Sequence, residues 1–337
     1  MRAWELTEKF GLENLQLVEK ERPEIGPGQV CVKVEASSLN FRDLVVIQGV
    51  YGSYIKTPLI PFSDGAGEVV EVGPGVTRFK PGDRVAPMFF QTWADGEPNG
   101  EKLAGALGGP LNGALTEYMF VREQGLAKIP ESYSYEEAAC LPCAALTAWS
   151  ALIEQGNLRS GETVLVQGTG GVSLFALQIA KAAGAKVIIT SSSNEKLERA
   201  KAMGADATVN YKENPDWHKA IKPYCDGEGV DHVIEVGGAD TLEKSVRAVR
   251  TGGTVSLIGV LSGSMGEFPL PLVLVRSVRI QGVTVGSTAA FERMVRSFEQ
   301  NGIKPVVDKV FPFDQAQEAL GYLKSGKHFG KVVIKNN

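Results

Sequence analysis

The sequence predicts an α/β chain in which a doubly wound parallel sheet follows a mainly β region. Three observations carry that expectation. The stretch Thr163-Val-Leu-Val-Gln-Gly-Thr-Gly-Gly-Val-Ser173 reads as a buried strand, a glycine turn and the start of a helix. Around and after it, apolar runs at 163–167, 186–190, 207–209, 231–236 and 254–259 alternate with helical patterns at 172–183, 195–203 and 241–250. That rhythm belongs to a parallel sheet with crossover helices. Before it, residues 1–127 hold short β patterns, turn signals and few helical periods.

Taken in order, Leu15 to Val18 and Val30-Cys-Val-Lys-Val-Glu35 read as strands, separated by Pro23 and the Gly26-Pro27-Gly28 turn. Glu68 to Val72 is a further strand, stopped by Gly73-Pro74-Gly75, and Lys80-Pro-Gly-Asp-Arg-Val85 turns into another. Gln91 to Gly113 is polar and glycine-rich around Trp93, with no period, and reads as a long surface loop. Helices are expected from Tyr135 and over Ala144 to Ile153. Val278 to Val285 reads as a last sheet strand. Helices over Phe291–Glu299 and Asp314–Leu323 and the strand from Lys331 close the chain.

The glycine turn is the chemical centre of this pattern. Glycines let backbone N–H groups approach a pyrophosphate, and the positive end of the following helix faces it. Gly168, Thr169, Gly170, Gly171 and Val172 are therefore cofactor-binding candidates, although Ser173 stands where a third glycine is usual.

Composition narrows the function. The 337 residues suffice for two domains, and 43% hydrophobic content is that of a globular protein. A net charge of −4 leaves no basic footprint for nucleic acid or an anionic membrane. No apolar run reaches the length of a membrane span. Met1-Arg-Ala-Trp-Glu is followed by no apolar core of a signal peptide, so a cytoplasmic location is expected. Three of the four cysteines (Cys31, Cys140, Cys143, Cys225) sit in apolar surroundings, as reduced thiols do.

Six motifs then point one way: Leu39-Asn-Phe-Arg-Asp43, Gly65-Ala-Gly-Glu-Val-Val-Glu-Val-Gly73, Pro81-Gly-Asp-Arg-Val85, Leu146-Thr-Ala-Trp149, the glycine turn and His328-Phe-Gly-Lys-Val-Val333. With them the chain resembles the medium-chain dehydrogenase/reductase superfamily, in its zinc-independent, quinone oxidoreductase-like and alcohol dehydrogenase-like branch. The resemblance implies a Rossmann domain over 128–286. It also implies a discontinuous, mainly β GroES-like catalytic domain made of 1–127 and 287–337.

Zinc-dependent relatives use a cysteine, a histidine and a second cysteine at positions that fall near Asn40, at Ser63 and at Cys143. One soft ligand remains where zinc needs three, and the 91–113 segment has no cysteine for a structural zinc. No metal is expected. Cys140 and Cys143 form a C-x-x-C with no second pair, read as packed thiols.

An NAD-preferring site sets an acid at the end of the second strand. Here that strand ends in Ser191-Ser-Ser193, with Lys196 and Arg199 following. Serines and a cation suit a 2′-phosphate, so NADPH/NADP is the expected cofactor. The resemblance places Ser192, Lys196 and Tyr211 on that phosphate, with Ser191 beside them. The same serines also suit a helix cap, Ser192-x-x-Glu195 being a capping box, and the cations suit a solvated face with Glu195 and Glu198.

The reaction implied is hydride transfer. Tyr51 matches a tyrosine proposed as proton donor in enoyl-reductase relatives, although Gly52 replaces the usual proline; Tyr54 is the alternative. Asn40 falls where relatives place a polar side chain near substrate, and it also suits a turn before Phe41. Tyr51 and Asn40 are the catalytic candidates, and Ser63 and Trp93 the substrate-pocket candidates. Thr147, Gly259, Val260, Phe329 and Lys331 resemble further cofactor contacts. Asp43 and Asp64 read as structural, and His218, His232 and His328 receive no role.

The expected activity is reduction of an activated C=C (enone or enoyl) or a quinone. A zinc-free alcohol dehydrogenase or carbonyl reductase is the runner-up, and an NADPH-binding protein without turnover a third reading. Relatives dimerise through the strand corresponding to Val278–Val285, so a homodimer is expected.

Overall fold

The computed structural model describes residues 1–336 and divides into two compact units. The first comprises Met1–Leu146 and the chain from Val285 onward; the second comprises Thr147–Thr284. The first unit opens with β1 (Arg2–Leu6), β2 (Leu15–Glu19), β3 (Gln29–Ser38), α1 (Phe41–Ile47), β4 (Asp64–Val72), β5 (Arg84–Pro87), α2 (Gly100–Leu103), β6 (Tyr118–Arg122), β7 (Leu126–Lys128) and α3 (Tyr135–Ala138). Then α4 (Leu146–Trp149) lies between π-helical turns at Leu141–Ala145 and Ser150–Glu154, so the helix expected over Ala144–Ile153 is irregular, with Pro142 in its first turn.

The second unit runs β8 (Thr163–Gln167), α5 (Gly171–Ala182), β9 (Lys186–Ser191), α6 (Asn194–Ala202), β10 (Ala207–Asn210), α7 (Trp217–Ala220), β11 (Val230–Glu235), α8 (Leu242–Ala248), β12 (Val249–Leu257), α9 (Leu270–Val275) and β13 (Arg279–Gly282). The chain then returns to the first unit with α10 (Thr288–Asn301), β14 (Val307–Pro312), α11 (Ala316–Lys324) and β15 (Lys331–Lys335).

The first unit is built on β3, which pairs with β4, β6 and β15. Val30, Val32 and Val34 alternate inward along β3 and meet Val69, Val85, Met119, Val121 and Leu126 in one core. A second core, around Trp4, Ile47, Phe62, Phe311 and Leu320, joins the N-terminal strands to α1 and α11. Residues 128–146 also belong here, which moves the expected domain boundary from 127/128 to 146/147. Arg84 donates to the carbonyls of Pro130 (3.1 Å) and Tyr133 (2.6 Å), and the Tyr133 hydroxyl donates to that of Ile303 (2.6 Å).

In the second unit six strands lie in the order β10-β9-β8-β11-β12-β13, every ladder parallel. The order reverses direction at β8, and all five β8 residues are buried, as a central strand covered on both faces requires. Leu165, Ile188, Val233 and Val255 share a core with Trp217 of α7 and Val246 of α8.

Several boundaries differ from the sequence expectation. The helix expected over 241–250 stops at Ala248, and the strand expected at 254–259 already starts at Val249 and ends at Leu257. The strand expected over Val278–Val285 shortens to Arg279–Gly282, and Val285 takes a positive φ of 73° that no strand tolerates. The helix α10 starts at Thr288 because the Ser287 hydroxyl accepts from Ala290 N–H (3.1 Å), and stops at Gly302, whose φ is 63°.

The 91–113 segment is a surface loop only in its middle: residues 94–104 are exposed or half-buried, while its two ends pack inward. It carries α2, and Gln91, Trp93, Ala106 and Leu107 are buried. Its glycines permit close packing: a Cβ on Gly113 would lie 1.9 Å from the Phe62 carbonyl oxygen, and Ala114 N–H donates to that oxygen (2.8 Å). Gly113→Ala is expected to destabilise the protein by about 3 kcal/mol in urea unfolding; an unmoved midpoint would contradict this packing.

Candidate functional site

A buried polar cluster forms in the first unit where β3 ends and α1 begins. Asn40 precedes α1, and its N–H donates to the Asp43 carboxylate (2.7 Å). The Asn40 side-chain oxygen accepts from Lys331 Nζ (2.6 Å). Its Nδ2 donates to Asp64 Oδ2 (2.9 Å) and lies 3.4 Å from Ser63 Oγ. The Ser38 hydroxyl also donates to Asp64 Oδ2 (3.1 Å). The Lys331 ammonium is 3% exposed, donates to the Leu39 carbonyl (2.7 Å) and stands 3.5 Å from Asp64 Oδ2.

Burial pushes the Asp64 carboxyl up, against the lowering pull of Lys331. Asp43 is raised from 3.8 to about 6, chiefly by burial, with Arg42 and the Asn40 N–H opposing; its Oδ1 has no hydrogen-bond partner among the described residues and lies 4.0 Å from Arg42 Nη1. Between those two pH values the folded protein holds a proton that the unfolded chain releases. Stability therefore falls as pH rises from about 4 to 6 and stops changing above, through this group, by about 3 kcal/mol. The stability difference between wild type and Asp43→Asn, followed by urea unfolding at a series of pH values, is expected to show that slope; a pH-independent difference would contradict it.

The site residues fare differently. Tyr51 is 45% exposed, directly before a 3-10 turn at Gly52–Tyr54, and among the described residues its hydroxyl makes no hydrogen bond. The Tyr54 hydroxyl reaches the Ala104 carbonyl (3.5 Å). Ser63 is fully buried under Asn40. Trp93, expected in the pocket, is instead a packing residue: it is buried, its indole N–H donates to Gly96 (2.8 Å) and its ring meets Phe90. The Phe329 ring is also buried. The Lys331 side chain, expected on the cofactor, is directed inside the first unit by the bonds above. Sequence reasoning missed Arg42 as an anchor: it donates to the carbonyls of Leu107 (2.8 Å) and Gly109 (3.0 Å) and lies over the Phe89 ring.

These donors do not suit zinc. The Asn40 oxygen is already held by an ammonium, and its nitrogen carries protons. Among the described residues no group of three or more His, Cys, Asp or Glu side chains could hold a metal ion, and Cys143 is the one thiol at the three positions that zinc-dependent relatives use.

The second unit holds the glycine turn. Gly168 has φ 71°, and Gly170 precedes α5 with no side chain capping it, leaving the first-turn N–H groups for an anion. A Cβ on Gly170 would meet nothing within 4 Å, so the cradle is open. Ser173 explains the missing third glycine: buried, it donates to the Gln167 carbonyl (2.7 Å) and ties helix to strand. A dinucleotide fits this cradle.

At the end of β9 the cap is Ser193, not Ser192: its hydroxyl accepts from Lys196 N–H (3.4 Å) and α6 starts one residue later than expected for Ser192. Ser191 is buried and accepts from Ser193 N–H (3.4 Å), while Ser192 is half-buried and Tyr211 exposed. Thr147 is buried in α4, and Val260 is half-exposed after β12.

Glu235, also missed in the sequence, organises the adjoining strand ends. Fully buried, it accepts from Gln167 Nε2 (2.7 Å), Thr241 Oγ1 (2.6 Å), Gly237 N–H (2.7 Å), Gly238 N–H (3.0 Å) and the Ser245 hydroxyl. A carboxylate ending an apolar strand gave no sign of this in the sequence.

Comparison with known proteins fits this arrangement. Residues 26–131 match the alcohol dehydrogenase GroES-like domain family, and residues 171–300 the zinc-binding dehydrogenase family. A zinc-type alcohol dehydrogenase-like protein of Schizosaccharomyces pombe is 45% identical over 333 residues, 96% of each chain. The acryloyl-coenzyme A reductase of Metallosphaera sedula is 30% identical over 94% of this chain and 95% of its own. Among solved structures, an NAD-dependent alcohol dehydrogenase superposes with TM-score 0.90 at 37% identity, covering 99% of both chains. A mycobacterial protein complexed with NADPH gives 0.85 at 29%, covering 99% of this chain and all of its own. The chain belongs to the medium-chain dehydrogenase/reductase superfamily. It is an oxidoreductase of a pyridine-nucleotide-dependent family whose members include alcohol dehydrogenase-like and enoyl reductase-like proteins. Among the described residues no helix is long and apolar enough to cross a membrane.

Proposed function

We propose that this protein is a zinc-independent, NADPH-dependent reductase of an activated C=C or a quinone. The observation that carries this reading is the Asn40 cluster, which offers a neutral N–H donor backed by an ammonium where zinc-dependent relatives hold metal ligands. Bound NADPH would supply the hydride. Gly168 to Val172 hold the pyrophosphate, and Ser191, Ser192, Lys196 and Tyr211 form the 2′-phosphate end, with no acid at the close of β9. Thr147, Gly259 and Val260 line the nicotinamide end. Asn40 Nδ2 donates to the acceptor's developing oxyanion, and the Tyr51 phenol delivers the proton.

A zinc-free alcohol dehydrogenase or carbonyl reductase is the second reading, favoured by the 45% identity to an alcohol dehydrogenase-like protein. A panel of quinones, enones and aldehydes with NADPH and NADH separates the two. We expect quinones or enones to be turned over, NADPH to exceed NADH roughly tenfold or more in kcat/KM through its 2′-phosphate contacts, and Tyr51→Phe to lose roughly 100-fold in kcat. An NADH preference, or full activity of Tyr51→Phe, would refute the corresponding assignment. Bound NADPH with no turnover would favour the third reading, a cofactor-binding protein.

A homodimer belongs to the same proposal. The outer edge of β13 is unpaired in the sheet order, and beside it α9 exposes Leu270, Leu274 and Val275. A monomer by light scattering would reject it.

A further inference from the structure

We propose that Lys331 is a positioning residue that acts through Asn40, and that it is not a contact of the cofactor phosphates. The inference rests on the reading above that Asn40 donates to the acceptor oxygen. An ammonium carries three protons and no acceptor. All three are directed within the first unit: to the Leu39 carbonyl (2.7 Å), to Asn40 Oδ1 (2.6 Å) and toward Asp64 Oδ2 (3.5 Å). None remains for a phosphate unless one of these is broken, and a buried ammonium loses heavily when a partner is removed.

The bond to Asn40 fixes more than a position. The two ends of a carboxamide have nearly the same shape, and only its partners decide which end points where. A donor-only ammonium selects Oδ1, which turns Nδ2 toward Ser63 and Asp64. One Nδ2 proton is engaged by Asp64 at 2.9 Å; the other has only the long 3.4 Å contact with Ser63 and is available to a stronger acceptor. The positive charge on Oδ1 also polarises the amide and strengthens its N–H groups as donors. A lysine thus stands, in electrostatic terms, behind the donor that takes the metal's role.

The test compares Lys331→Met, Asn40→Ala and the double variant with wild type, reading the NADPH Kd, kcat with the best acceptor, and exchange of the Asn40 side-chain amide protons by NMR. We expect Lys331→Met to lower kcat roughly 10–100-fold, the usual effect of removing a group that orients a ligand-touching one. The NADPH Kd stays within about twofold. In the Asn40→Ala background the lysine substitution costs nothing further. A raised Kd with kcat unchanged at saturating NADPH, or losses that multiply in the double variant, would overturn the proposal. If wild type turns over no acceptor, the reading of Asn40 as oxyanion donor fails by itself. The positioning role then stands on the exchange measurement: faster exchange at Asn40 in Lys331→Met upholds it, and unchanged exchange removes it. Because Lys331→Met strands a buried carboxylate, the same readings are made on Asp64→Asn/Lys331→Met if the single variant does not fold.

Discussion

Gly170→Val is expected to fold as the wild type does and to bind NADPH at least about 100-fold more weakly, a loss of about 3 kcal/mol. The two halves of that expectation have separate physical causes. Gly170 has φ −81°, a value any residue adopts, and its virtual Cβ meets no protein atom within 4 Å. A Cβ there therefore adds neither backbone strain nor a clash. What it fills is the space above the uncapped first turn of α5, where a pyrophosphate needs direct approach to backbone N–H groups. Gly168 would be a poorer probe, because its φ of 71° adds strain to any substitution. Calorimetric titration with NADPH, alongside a thermal melt, checks both halves. Unweakened binding would remove the glycine turn from the cofactor site.

Glu235→Ala is expected to be the most damaging single substitution in the second unit, at about 4 kcal/mol or more in urea unfolding. It strands the Gly238 N–H, leaves the Gly237 N–H only its long bond to Gln167 Oε1 (3.3 Å), and removes the shared acceptor of Gln167, Thr241 and Ser245. The damage reaches beyond stability. Glu235 holds the turn after β11, and that turn is laced to the one after β12: Ser262 N–H donates to the Gly237 carbonyl (2.7 Å) and Ala239 N–H to that of Gly263 (3.0 Å). Those turns carry Gly259 and Val260, so NADPH affinity is expected to fall together with stability. Glu235→Gln keeps the shape and one acceptor and should lose less. Wild-type stability in Glu235→Ala would contradict this account of the strand ends.

What the sequence revealed and concealed follows from the range of the interactions involved. The strand–turn–helix at 163–182 was legible because its signals are local: a run of buried apolar residues, then glycines where the chain needs positive φ and close approach. The alternating β/α order was legible for the same reason. Errors of one to a few residues arose where neighbours compete for one role. Ser193 rather than Ser192 caps α6, and Ser287 draws the start of α10 forward. The polar centres were not legible, because their partners are remote. Lys331 meets Asn40 across 291 residues, and Glu235 meets Gln167 across 68. The motif around Lys331 resembled a cofactor contact, and only the folded arrangement turns its ammonium toward Asn40. The 91–113 segment was legible only in its exposed middle: Gly108 and Gly113 look like loop glycines but serve close packing against Phe62.

The central claim is hydride transfer without a metal, and one measurement tests it directly: the initial rate of NADPH oxidation by chelator-treated protein in the presence of a quinone or an enone, with and without added zinc. The arrangement of Asn40, Lys331 and Asp64 predicts full turnover in the metal-free protein and no gain from zinc. Activity that disappears on chelation and returns only with zinc would contradict it.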